Sequence, residues 1–437
     1  MSLVSFSVSG TYYTLQGIGG GGLRDSQVSS NANTALYICA VLGGLFAGSI
    51  NNVLGPRFTC LIGSLTTLAY FSVLIVYQYI PNAGMVIFSG AVCGFGQALL
   101  STVGGAVTSG YPSPAKRGNS ASIYSGTFAL SGIVGGSITF VLNLHRPSNE
   151  DISLSTFIAF LSLVFLGTLL TLLLMPPGTL IRDDGQPVDL GKARTLREEL
   201  AGMWTLICCS RTWIVTPFFM MVSSYYAYQF NGFNLVLYTT RTRGANNVFY
   251  RLFGLLTAFL TGQWMDSCRW SKRRRIHILV GVMTILTMAT WASAYIVQLI
   301  YRPTSPESNF IPLDVTTGAY WATWPIFCFW GSLDIAMVIL SYWLVANLSR
   351  DSKESSNYAG YLSSSYFLTA ALCWQLDAQQ INNTVFLFLS WGLVVVGLIS
   401  AFCTGFVIEE SQSTPNPEQE LTENLLNEKD DQHHTTP

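Results

Sequence analysis

Charge is what this sequence has least of. Of its 437 residues only 10% are Asp, Glu, Lys or Arg, where a soluble domain carries about 25%. Half of the chain is hydrophobic and the mean hydropathy is +0.41, even with a polar C-terminal tail included. A chain so poor in charge cannot cover a water-facing surface, which excludes an ordinary soluble domain. A net charge of −1 gives it no pull toward nucleic acid. Histidine is scarce as well: there are four, and His433 and His434 sit in the tail. The nine cysteines are scattered, with no Cys-x-x-Cys or Cys/His spacing suited to a metal. Cys208-Cys209 reads as packing, or as lipidation near a membrane surface, rather than a redox pair. No nucleophile–base pair appears, so neither an enzyme nor a cofactor is expected.

What the chain has in quantity is long apolar segments. A hydrocarbon core of roughly 30 Å needs about 20 residues of helix. Eleven such spans fall near 34–50, 58–79, 84–109, 120–143, 154–175, 213–238, 246–265, 276–300, 319–347, 357–376 and 384–408, with a short one at 1–16. At about 1.5 Å per residue the first reaches roughly 24 Å, so an upstream segment, or a tilted and weakly inserted helix, is expected. The sixth span is nearly uniform in apolar character and is expected to face lipid. The fold class is therefore all-α: a polytopic membrane protein of about twelve helices in two six-helix halves. The halves are 1–175 and 213–408, joined by a polar cytoplasmic linker at 176–212. The tail, 409–437, has eight acidic residues and one Lys, a composition that does not build a packed core.

Lys and Arg placement sets the orientation. With both termini in the cytoplasm, the inner loops and tail hold 16 of the 22 basic residues and the outer side six. The run Arg269, Lys272, Arg273, Arg274, Arg275 then anchors the loop between the eighth and ninth spans on the inner side. It is not a nuclear address. The expected location is a multipass protein of the plasma membrane or an endomembrane, with lipid as its first partner.

Just before that basic run stands Gly262-x-x-x-Asp266. In the first half, Gly48-x-x-x-Asn52 precedes Gly55-Pro56-Arg57, 214 residues earlier. Two six-span halves with corresponding loops imply a parallel internal repeat. The pattern resembles the Gly-x-x-x-Asp-x-x-Gly-x-Arg loop of the major facilitator superfamily. The match is imperfect: Asn52 replaces the usual Asp, and the second copy lacks the later Gly.

Several stretches together resemble the Unc-ninety-three-like (ion channel regulatory protein) family, a branch of that superfamily. They are "GIGGGG" at 17–22, "ALYICAVLGGLFAGSINNVLGPR" at 35–57, "GGAVTSGYPSPAKRGNSASIY" at 104–124, "LYTTRTRGANNVFY" at 237–250, "WGSLDIAMVILSYWL" at 330–344 and "GYLSSSYFLTAALCWQLDA" at 360–378. The resemblance implies twelve helices and an accessory or trafficking role toward another membrane protein, a channel or a receptor. The alternative it leaves is a secondary transporter of a small solute coupled to protons or ions. Val338 stands where the family carries Gln, and "SSSY" at 363–366 replaces a Lys and a Gln.

In major facilitator folds the first, fourth, seventh and tenth spans line a central cavity. Here those spans carry Tyr12, Tyr13, Gln16, Gln97, Tyr225, Tyr226, Gln229, Asn231, Asn234 and Asp334. Asp334 is the sharpest of these, because a central Asp costs about 2.5–3.5 kcal/mol to insert and must face a cavity or a partner. It reads either as a proton or ion site or as a helix-packing group. With Val338 and the "SSSY" stretch nearby, few polar neighbours are expected for it, and a carboxyl so placed favours its neutral form. That ranks the accessory role first. Arg241, Arg243 and Arg251 surround an outer turn and are expected to pair with lipid headgroups or Asp377, or to form an anion site.

Overall fold

The computed structural model describes residues 1–23, 25–113, 116–144, 152–175, 177–181, 196–267, 269–301, 312–350 and 352–413. Most of the tail, residues 182–195 of the linker, and Arg24, Arg146 and Arg302 of the expected outer set lie outside these residues.

Thirteen α-helices make up the described fold. The chain enters through two short ones, α1 (Ser2–Ser7) and α2 (Ser9–Gly17), and turns through Gly20–Gly22. Gly19 to Gly22 all have positive φ, which only glycine adopts freely. Asp25 then caps α3 (Ser26–Tyr77), accepting from the N–H groups of Gln27 at 3.0 Å and Val28 at 3.2 Å. At 52 residues α3 covers both the second and third spans. The join expected to be a loop is instead a kink: Gly55 has φ 78° and ψ 163°, and Pro56 follows. Next come α4 (Ala83–Gly110), α5 (Arg117–Leu142) and α6 (Leu154–Thr171). The sixth span does not face lipid all round. Phe157, Phe160 and Val164 are buried while Ile158, Phe165 and Leu166 are exposed.

The expected linker ends in a helix of its own, α7 (Leu196–Cys208). The seventh span is broken. After α8 (Ser210–Met221), Ser223 adopts φ 72° and the chain resumes as a π-helical stretch, Ala227–Leu235. Such stretches mark functional sites often enough to draw notice. The second half continues as α9 (Thr240–Asp266), α10 (Lys272–Tyr301), α11 (Gly318–Leu348), α12 (Ser352–Ala378) and α13 (Asn383–Ser413). The first five tail residues, 409–413, thus extend a helix.

Among the described residues, seven helices are long and apolar enough to cross a membrane: α3, α4, α5, α6, α10, α11 and α13. The more polar ones, α2, α9 and the π-helical stretch, bury most of their polar residues, while α9 turns Leu256, Phe259 and Leu260 outward. Lipid thus meets an apolar surface, while the core holds what lipid would reject. Glycine sets the closest helix approaches. A Cβ on Gly331 of α11 would lie 1.8 Å from the Tyr250 carbonyl oxygen of α9, and one on Gly132 of α5 would lie 2.2 Å from Arg251 Cγ.

Candidate functional site

Asp334 lies on α11 and is 1% exposed. The break after α8 aims two consecutive tyrosines at it. Tyr225 Oη donates to Oδ1 at 2.8 Å and Tyr226 Oη donates to the same oxygen at 2.6 Å. Arg251, one helix away on α9, donates from a terminal guanidinium nitrogen to Oδ2 at 3.2 Å. Both charged side chains are 1% exposed. The expected lack of polar neighbours is therefore wrong. Asp334 is the acceptor in a buried ion pair with two phenols, and the partners come from spans that sequence spacing does not connect.

Arg251 also corrects the outer cationic trio. It sits in the core, with Phe128 and Tyr250 rings 5.4 and 5.1 Å from its guanidinium carbon. Its second terminal nitrogen has no hydrogen-bond partner among the described residues. Arg241, in the first turn of α9, grips Asp314 through two bonds of 2.8 Å. Arg243 is buried and donates to Thr240 Oγ1 at 2.7 Å. The three arginines do not form one site. Asp377, their expected partner, accepts instead from Ser30 and Asn231, each at 2.6 Å.

Asp314 went unnoticed in the sequence, where it is one loop acid among several. Its oxygens also accept from Thr239 at 2.7 Å and from the N–H of Thr316 at 3.0 Å. Burial alone would push its carboxyl up. The bonds from Arg241, Thr239 and Thr316 outweigh this and hold it well below the usual carboxylate range.

Beside Asp334 lies a cavity of about 70 Å³. Tyr13, Gln97, Tyr124 and Phe128 line it from the first half; Tyr226, Asp334 and Tyr342 line it from the second. Gln97 donates to Thr67 Oγ1 at 2.9 Å, and Gln229 accepts from Tyr250 Oη at 3.2 Å. The other two candidates, Asn231 and Asn234, lie away from Asp334, at the glycine turn. Asn231 Oδ1 accepts from the Gly20 N–H at 2.8 Å, and Asn234 donates to the Gly17 carbonyl at 3.1 Å. They draw the two halves together at that end.

The end that carries the basic run is drawn together by the loop motif. Asp266 accepts from the N–H groups of Gly118 at 2.7 Å and Asn119 at 2.6 Å. It thereby caps α5, a helix of the other half whose N-cap residue, Lys116, makes no side-chain cap bond. Gly262 packs against Ser122, and Arg117 donates to the Ala346 carbonyl near the end of α11. In the first copy Gly48 packs on Ser356 and Asn357 of α12. Asn51, rather than Asn52, donates to Ser356 Oγ at 3.3 Å. Gly55 supplies the kink, and Arg57 is exposed.

The arrangement is thus two helical halves, a buried charged network at their junction, and a motif loop closing one end. Residues 1–373 match the profile of the Major Facilitator Superfamily. The chain belongs to that superfamily. Its similarity within the superfamily runs to UNC93-like proteins. UNC93-like protein 1 of Arabidopsis thaliana is 31% identical over 396 residues, 91% of this chain and 86% of that one. An UNC93-like protein of Schizosaccharomyces pombe is 30% identical over 404 residues, 92% and 80% of the two chains. Among solved structures, the proton:xylose symporter XylE aligns with a TM-score of 0.60 at 13% identity, covering 92% of each chain. The E. coli fucose:proton symporter FucP aligns with a TM-score of 0.58 at 12% identity, covering 92% of this chain and 97% of that one. At such identities the symporters establish the major facilitator fold and nothing of the cargo.

Proposed function

We propose that this UNC93-like protein is a secondary transporter that couples solute movement to protons through Asp334. The observation that carries the reading is the Asp334–Arg251 pair, buried at the junction of the two halves, with Asp334 on the wall of the shared cavity. A proton arriving on Asp334 would cancel the ion pair and leave Arg251 without its counter-charge in a low-dielectric site. Both outcomes are costly for the helix arrangement as it stands. Each protonation state would then favour a different packing of α9 against α11, and the cavity places first-half residues directly across from that choice. The basic end is assigned to the cytoplasm.

The accessory reading is kept alive by one observation. A cavity of about 70 Å³ holds a few waters and no pentose, and a protein that moves no solute needs nothing larger. The two readings separate in liposomes that hold the purified protein and an internal pH dye. Pentoses, hexoses and small amines are added one class at a time. Solute-dependent proton entry that Asp334→Asn lacks, at equal protein incorporation, supports transport. No proton movement with any class, combined with lower folding yield for Asp334→Leu, returns the protein to the accessory role.

A further inference from the structure

A second cavity, of about 300 Å³, lies away from Asp334 at the end of the molecule closed by the glycine turn. It forms where α3 of the first half meets the π-helical stretch, α12 and α13 of the second. Among its described lining residues there is one carboxylate, Asp377, and no Lys, Arg or His. Asp377 spends only one oxygen on the protein: Oδ2 accepts from both Ser30 and Asn231 at 2.6 Å. Oδ1 has no donor among the described residues, and Asp377 lines the cavity. The last turn of α12 adds partial negative charge beside it. The opposing first turn of α13 is capped by Asn382 Oδ1, which accepts from the Thr384 N–H at 2.9 Å. Ser26 and Gln380 supply further polar atoms, while Leu235 and Phe386 form an apolar wall. Among the described lining residues no cationic side chain is present to hold an anion, and a bare metal ion leaves the wall unused.

We propose that this cavity is a binding site for a small organic cation, a protonated amine with an apolar body. Its ammonium would donate to Asp377 Oδ1, and its body would lie against Phe386 and Leu235. The site is distinct from the Asp334 network and does not rest on the transport reading.

Benzylammonium is the probe, with benzyl alcohol as its uncharged counterpart, titrated onto the purified protein in lipid nanodiscs by calorimetry. Saturable benzylammonium binding is expected, with benzyl alcohol silent. Asp377→Asn should weaken binding about tenfold or more, the worth of a hydrogen bond to a charged group. Gln380→Lys is the second variant. Gln380 is exposed, so the change does not disturb the core, and it puts a tethered ammonium at the mouth of the cavity. It should weaken binding at least as much while leaving the unfolding midpoint in place. Asp334→Asn, compared at equal folded protein below its unfolding midpoint, should bind normally. Unaltered binding by Gln380→Lys, loss of binding in Asp334→Asn alone, or equal heats from sodium or potassium chloride at the same ionic strength would overturn the assignment. So would no binding of benzylammonium to the wild-type protein.

Discussion

Replacing Asp334 by Asn keeps the shape of the side chain and removes its charge. An Asn oxygen still accepts from Tyr225 and Tyr226. Its amide nitrogen, however, faces the Arg251 guanidinium, donor against donor. Both side chains of the pair are 1% exposed, so water offers no relief to the stranded cation. Removing one partner of such a pair costs about 3–5 kcal/mol. Arg251→Met should cost a similar amount by stranding the carboxylate, softened by the two phenols that still donate to it. The double variant leaves no unpaired charge and should recover much of the loss, because a buried pair replaced by neutral groups is often near break-even. Thermal unfolding followed by tryptophan fluorescence is the assay, and Trp330, one turn from Asp334 on α11, places a reporter close by. Each single change should lower the midpoint by several degrees, and the double change by less than either. If the two losses simply add, the two residues do not act as a pair, and the coupling argument built on them fails.

Tags at residues 190 and 430 should both be shielded from externally added reagent in intact cells, and opposite accessibility of the two would break the twelve-span orientation. Asp266→Ala removes the Asp266 cap on α5 and should cost about 1 kcal/mol of stability, while Asp266→Asn, able to accept one of the two N–H groups, should cost less; the unfolding midpoints decide. The Asp314 carboxyl has a folded pKa held below its unfolded value, so its stabilisation is present above the ordinary carboxylate range and is lost only as pH falls through the folded pKa. Lowering external pH from about 7.5 to about 5 should therefore leave the 313–316 segment as protected from hydrogen exchange as before, whereas Asp314→Ala should expose it at either pH.

The sequence by itself determined the fold class, the count of spans and the residues worth suspecting. Scarce charge and repeated apolar runs leave a chain no stable home but a bilayer, and that conclusion needs no knowledge of which helices touch. A carboxyl in the middle of an apolar span announces its own cost, so Asp334 stood out without any structure. Its partners did not. Tyr225 and Tyr226 come from a broken seventh span, and Arg251 from a helix read as ending in an outer cationic cluster. Residue spacing along a chain carries no information about which faces of separate helices meet. The same reason hid the cap that Asp266 places on α5 and the clamp of Arg241 on Asp314, since each joins groups more than seventy residues apart. Span boundaries also shifted where local pattern was silent. The kink at Gly55 lets two spans run on as one helix, and a positive φ at Ser223 breaks another. Hydropathy reports the solvent each segment prefers, while pairing of buried charges is settled only when the helices pack, because the cost of leaving either one unpaired arises only then.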